Sequence, residues 1–413
     1  MTAPEVLTSP SRADLAHLCR EYLLCGHLID RAGMPQVNAA LGKEGMEQVA
    51  IQEWMGASPI YTKRMQRALG FEGDDVGTIF KGMQFDIGAP HQFMDFRYTV
   101  HDGTHGEFHL AHCGALMDVE PMGDEYVQGM CHDIEDPTFD ATALATNPRA
   151  RMRPIHRPPR TPADRHPHCA WTVTIEPHVD PVPESEHTRR VARSRAAGVV
   201  IEMGDDAEPG GSRDYSGPLD PDFQMEHLSH GALVLVAEEM CLQGHLLVRS
   251  GLLDVADRAG EDVAMDVALK QFIGVGAVAT DRIKNLFDLK PGDLDGLAYL
   301  LELHPAFHPR AYVDLHVERD GDQLSVSIGD CDALHEDDSF SWFGVLRAGH
   351  AGPLESIVQA LDPQAQVEST GEMSWTVTVD PSAEPAKEPP EALLTRFSTG
   401  ADFQFVQPMR SGG

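Results

Sequence analysis

The chain contains the same unit twice. Gly26-His27-Leu28-Ile29-Asp30-Arg31-Ala32-Gly33 returns as Gly244-His245-Leu246-Leu247-Val248-Arg249-Ser250-Gly251, at an offset of 218. The offset holds without a gap through Gly42/Gly260, Gly56/Gly274, Arg64/Arg282, Asp75/Asp293, Asp102-Gly103/Asp320-Gly321, Cys113/Cys331 and His132/His350. Roughly two dozen identities in about 120 positions compare with roughly seven from average residue usage. Beyond His132 the second copy is shorter, yet Trp171-Thr172-Val173-Thr174 returns as Trp375-Thr376-Val377-Thr378. Whatever one copy folds into is therefore built twice. The copies run from Ser11 to Met203 and from Ser229 to Phe405, and Gly204 to Leu228, rich in Gly, Pro and Asp, reads as the linker.

Within a copy, Arg12 to Arg31 and Val37 to Leu69 carry apolar residues at helical spacing, with Gly33 and Gly70 as stops. Asp75 to Phe85 predicts a shorter helix. Phe93 to Val100 alternates as a strand, Asp102-Gly103 is hairpin chemistry, and Glu107 to His112 is the return strand. A helix over Asp124 to His132 follows, then strands near Arg151 to Ile155 and Ala170 to Ile175. A basic helix (Thr188 to Ala197) and a last strand (Val199 to Met203) close the copy. Helices grouped beside an antiparallel sheet give an α+β class, a tandem duplication of one such domain. No dinucleotide fingerprint, phosphate loop or nucleophile elbow occurs in a strand–turn–helix context.

Charge narrows the partners. Lys plus Arg number 32 and Asp plus Glu 65, a formal balance of −33. Such a surface repels phosphate backbones and anionic lipid, so neither nucleic acid nor membrane is expected, and the expected partner is a small molecule. Met1 to Arg12 lacks the basic and apolar regions of a leader, and no window reads as a run of 18 apolar residues. Seven dispersed cysteines, an odd number, suit reduced thiols and a cytoplasmic location.

The chemistry-bearing residues concentrate in the first copy, at His105-Gly106-Glu107-Phe108-His109-Leu110-Ala111-His112-Cys113 and at Cys131-His132-Asp133. If the first segment is extended, His109 and Cys113 share a face and can converge on a ligand or metal, whereas His112 joins them only through a bulge. Thiolates and imidazoles suit zinc or iron, with His109, Cys113, Cys131 and His132 as the candidate set, although the spacing matches no standard metal motif. A Cys–His pair also supplies a nucleophile with a proton carrier: Cys113 as nucleophile, His132 as general acid/base, Asp133 or Asp136 to orient it. The plainer reading is a buried thiol beside hydrogen-bonded histidines. The second copy keeps Cys331 and His350 but places Asp330 and Asp332 beside the thiol and Ser327 where His109 stands, so its site reads as degenerate. Arg97, opposite Leu315 on the same offset, is a candidate clamp for a substrate carboxylate or a solvated strand residue. Gly26-His27 reads as a close contact with a satisfied histidine, and Trp171 and Trp375 as core.

Each copy resembles the L-2-amino-thiazoline-4-carboxylate hydrolase-like family, on Cys113, Met122-Gly123, Cys131 with Asp133 or Asp136, Phe139, Asn147-Pro148 and Cys169. The likeness covers roughly Phe93 to Ile175, and more faintly Val313 to Val379, where the second and third cysteines are lacking. It implies a hydrolase that opens a small cyclic or amide-like C–N compound, with the site in the first copy. The predicted topology also resembles the ligand-binding fold of vinyl-reductase-like and Bet3-like domains. That likeness implies a non-catalytic binder or sensor of an apolar or haem-like ligand, and a duplicated single-copy dimer would be a covalent pseudo-dimer.

Overall fold

A computed structural model describes residues 5–406. Each copy opens with two long helices and continues into a four-stranded antiparallel sheet. In the first copy the helices form one run, Arg12–Ala68, broken where Gly42 takes φ 72°. In the second they are His230–Ala259 and Glu261–Phe287, broken at Gly260 with φ 94°. Only glycine enters that left-handed region without steric cost, which accounts for the shared Gly42/Gly260. The expected stop at Gly33 does not occur, for the helix runs through it. Its missing side chain is needed elsewhere: a Cβ there would lie 2.4 Å from the amide nitrogen of Gln271 in the other copy.

The first sheet comprises β1 (Met94–Asp102), β2 (His105–Cys113), β3 (Ala150–His156) and β4 (Cys169–Ile175). The second comprises β5 (Leu315–Asp320), β6 (Gln323–Ile328), β7 (Ala365–Gly371) and β8 (Ser374–Val379). The orders are β1-β2-β4-β3 and β5-β6-β8-β7, so the α+β duplication holds at the level of topology. The register repeats too, Phe108 pairing with Trp171 and Val326 with Trp375. Leu315 pairs with Ile328 as Phe96 pairs with Leu110, so Arg97 matches His316 in space, not Leu315.

The copies pack helix against helix, with matched pairs across the contact. Buried Arg64 binds Glu239 at 2.7 and 2.9 Å, and Arg282 binds Glu21, its equivalent at offset 218. Each guanidinium also collects carbonyls from the end of a copy. Arg64 takes Ala197 O and Val199 O; Arg282 takes Gly400 O, Ala401 O and Phe403 O. The expected strand Val199–Met203 therefore does not form, because Arg64 satisfies a carbonyl that a sheet partner would otherwise have taken. The basic stretch before it folds as two short helices, Glu186–Val191 and Arg195–Gly198.

These closing segments are exchanged. Arg195 N and Ala196 N of the first copy donate to Glu336 of the second, both at 3.0 Å. Thr399 N of the second donates to Asp118 of the first at 2.7 Å. Asp118 and Glu336 are equivalents at offset 218. Helices His230–Ala259 and Glu261–Phe287 are, against the sequence expectation, long and apolar enough to cross a bilayer. Here 94% and 67% of their most apolar windows are buried within the fold.

Candidate functional site

In the second copy the inner sheet face, with Leu324, Val326, Trp375 and Val377, is continuous with the central helical core. In the first, the sheet face (Phe108, Leu110, Trp171, Val173) forms a separate cluster. Between that cluster and the helices lies a cavity of about 440 Å³, within the range of small-molecule sites. Its apolar walls include Met34, Met46, Met83, Phe96, Met130 and Phe139. Leu394, Phe397 and Ser398, from the exchanged end of the second copy, form part of its rim.

The equivalent region of the second copy is closed. Trp342 stacks on Phe272 at 4.7 Å and meets His245 edge-on at 5.7 Å. Phe272 and His245 are the equivalents of cavity-lining Trp54 and His27. The remaining gap there, lined by Phe307, Ile328 and Trp375 among others, has no volume that a water could occupy.

Polar groups in the wall fall into two sets. The first is shared by the copies. His27 Nε2 lies 3.0 Å from Asp118 and 3.1 Å from Ser398, and Arg31 approaches Asp118 at 3.6 Å. Burial opposes charge on Asp118, but hydrogen bonds from His27 and Thr399 and the charge of Arg31 outweigh it and hold the carboxyl below its ordinary range. Burial lowers His27 to about 4, leaving it neutral. His245, Arg249 and Glu336 stand at the same positions in the second copy, where Arg249 again lies 3.6 Å from the carboxylate.

The second set belongs to the first copy alone. Asp30 accepts the Trp54 indole at 3.2 Å, and burial pushes its carboxyl up to about 6. Glu53, 1% exposed, faces Asp30, and burial followed by that like charge raises it well above the ordinary range. Among the described residues no N–H or O–H hydrogen-bonds Asp30 Oδ1 or Glu53 Oε2. A proton shared between the two carboxyls satisfies one of them at most. Asp86 accepts Tyr61 at 2.9 Å and Gly88 N at 2.8 Å, and burial lifts it to about 6. Glu135 reaches about 8 through burial, against the pull of Arg157. At offset 218 the first three of these positions hold Val248, Gln271 and His304, whereas Glu135 lies beyond His132, where the offset no longer holds.

The expected site residues fall largely outside this cavity. The register slips between the Met94/Cys113 and Phe96/Leu110 pairs, a bulge that turns Cys113 inward and leaves His109 on the outer face. The two therefore do not converge. Cys113, Cys131 and Cys169 do gather, in the buried cluster beneath the sheet. Burial pushes the Cys113 thiol up to about 12, with Glu135 adding to it, and raises Cys131 and Cys169 as well. At pH 7 the Cys113 thiolate fraction is on the order of 10⁻⁵, far from an activated nucleophile. Cys113 Sγ instead caps the following helix, accepting Leu116 N at 3.3 Å.

His132 Nε2 bonds Pro158 O at 2.6 Å, Asp136 pairs with Arg157, and Asp133 is exposed. Arg97 lies on the outer face, 51% exposed, paired with Asp95 at 2.8 Å. None of these lines the cavity. Nor do His109, Cys113, Cys131 and His132 form a metal-holding group among the described residues. The group that does meet that geometry is His101, His105 and Glu107, whose donor atoms lie within 4.8 Å of one another at the outer hairpin. Sequence reasoning gave weight to cysteine and histidine and overlooked the cavity carboxylates. Their signal was the set of positions where the copies differ in charge, Asp30/Val248, Glu53/Gln271 and Asp86/His304. The chain matches no family model, no curated protein and no solved structure.

Proposed function

We propose that the first copy is a small-molecule binding module and the second its structural partner. One observation carries this: the fold builds the same helix–sheet interface twice, leaves a cavity of about 440 Å³ in one, and stacks Trp342 into the other. The cavity's largely apolar wall faces water, and an apolar ligand that covers it recovers about 25 cal/mol per Å². A neutral solvatochromic dye such as Nile red tests the reading by titration. The expected stoichiometry is one dye per chain, lost when Ala50, in the cavity wall, is replaced by Phe. Two dyes per chain, or binding that survives Ala50→Phe, would overturn it.

Glu135 favours a second reading, hydrolysis of a C–N bond within the same cavity. A carboxyl held at about 8 is protonated at neutral pH and can protonate a leaving nitrogen. In this reading the acid is Glu135, not His132, and the thiols are structural. If a substrate is turned over, Glu135→Gln should abolish turnover and Cys113→Ser should spare it. Loss of turnover in Cys113→Ser with its stability intact would restore the thiol.

A further inference from the structure

The polar groups of the cavity define a ligand class once those shared with the closed copy are set aside. Arg31, His27 and Asp118 have equivalents in Arg249, His245 and Glu336, where no cavity exists, so their arrangement serves the fold. What remains is acidic. Asp30 and Asp86 line the wall, and Glu53 lies behind Asp30. All three are replaced, by Val248, His304 and Gln271, in the copy whose interface is closed. Tyr61, behind the wall, hydrogen-bonds Asp86 at 2.9 Å and lies within electrostatic reach of Asp30 and Glu53. Arg31, the nearby cation, lies 3.6 Å from Asp118 and offsets part of the charge of Asp30. Among the described residues no cation pairs with Asp86, and Asp30 Oδ1 and Glu53 Oε2 have no hydrogen-bond donor, so a ligand cation removes a cost that Arg31 meets only in part. Beside them stands Trp54, also in the wall, and an indole is the aromatic group that best attracts an ammonium.

We propose that this cavity takes an organic cation, an amine or ammonium carried on an apolar body, with Asp30 as its counter-ion, Asp86 reinforcing the charge, and Trp54 beside it. The inference rests on the cavity being a ligand site. Three probes of matched shape separate it from that reading: 2-(naphthalen-2-yl)ethylamine, 2-(naphthalen-2-yl)ethanol and 2-naphthylacetate, titrated calorimetrically into the full chain at pH 7.5. The amine should bind at least tenfold more tightly than the alcohol, and the acid weakest. Asp30→Asn should cut amine affinity about tenfold and leave the alcohol within twofold, which also reports that the cavity is intact. Asp86→Asn provides a second variant with the same expected pattern. Equal binding of amine and alcohol would overturn the cation assignment while leaving the cavity a ligand site. Tightest binding of the acid would overturn it in favour of Arg31. No binding by any probe at millimolar concentration would overturn both readings.

Discussion

The two copies begin from similar sequences and end as different objects. Where the first puts Trp54 and Asp30 around a cavity, the second puts Phe272 and Gln271 against Trp342. The sheet of the second fuses with the central core, and the sheet of the first stands apart from it. What they share is a frame: the Arg–Glu pairs across the interface, the kink glycines, and the exchanged ends capped by Asp118 and Glu336. A duplicated interface needs only one side to carry a ligand, because the other can supply rigidity and part of the rim. The second copy does both here. Its core is continuous, and its end places Leu394 and Phe397 at the cavity.

The comparison can be broken most forcefully at the interface. Arg282→Ala would leave Glu21 buried without its cation and free three carbonyls, a loss of about 5 kcal/mol by urea unfolding. Arg64→Ala strands Glu239 in the same way and should cost about as much. Only Arg282→Ala should also weaken dye binding, since the segment it releases borders the cavity while the one held by Arg64 lies on the second copy. Equal effects on binding would show that the exchanged ends do not distinguish the sites. Next in size is Trp342→Ala. Removing that stacked indole should cost about 3–4 kcal/mol and open a second dye site, raising the stoichiometry from one to two. Loss of stability with the stoichiometry still at one would mean that the second interface collapses, and that Trp342 is not what keeps it shut.

Gly26 and Gly244 are identical in sequence and differ in what they touch. A Cβ on Gly26 would sit 2.5 Å from the Ile87 Cβ and 2.7 Å from its carbonyl oxygen, whereas on Gly244 the nearest atom is the Ile29 Cδ1 at 3.2 Å. Backbone cannot yield as a flexible side-chain end can. Gly26→Ala should therefore cost about 1–3 kcal/mol, and Gly244→Ala a fraction of that. Comparable losses would show that Ile87 is free to move. Since Ile87 lines the cavity, that would make the wall adaptable.

Local chemistry was legible in the sequence, and choices made across the interface were not. Asp102-Gly103 announces its turn because Asp102 accepts Thr104 N at 2.7 Å within the same few residues, and Asp75 announces its helix by capping Thr78 N at 2.8 Å. The periodicity and the repeat yielded the α+β class and the strand order of events along the chain. Gly33 read as a helix stop because its reason for being glycine, Gln271, lies in the other copy. The inward turn of Cys113 depends on a bulge set by pairing with β1, which no spacing within β2 reveals. The carboxylates were passed over because acidic residues are usually solvated. What marks these is their loss on the matching buried positions of the second copy, a comparison that the repeat itself makes possible.

The smallest expected effect tests whether the first copy alone carries strained carboxyls. Glu135 has a folded pKa of about 8 against an ordinary 4.5, so between those values the folded state binds more protons than the unfolded chain. Stability then falls as pH rises through that window. The buried histidines work in the opposite sense: His27, His91, His168, His245 and His304 are lowered to about 4 against 6.5, so stability rises with pH only until about 6.5. Asp30 and Asp86, near 6, are also largely spent by then. From pH 6.5 to 8 the declining slope belongs to Glu135 and to the other carboxyls that burial raises, Glu53 and Glu239, joined near pH 8 by thiols that ionise only in the unfolded chain. Arg157, Asp136 and the thiols of Cys113, Cys131 and Cys169 face Glu135, and the thiols stay protonated throughout that range. Urea midpoints at half-unit steps should decline across it, and Glu135→Gln and Glu53→Gln should each flatten the decline in part. The second copy has Gln271 in place of Glu53, and its own raised carboxyl, Glu239, is paired with Arg64 across the interface. A decline unchanged in both variants would place the strained acids outside the cavity and remove the electrostatic difference between the copies.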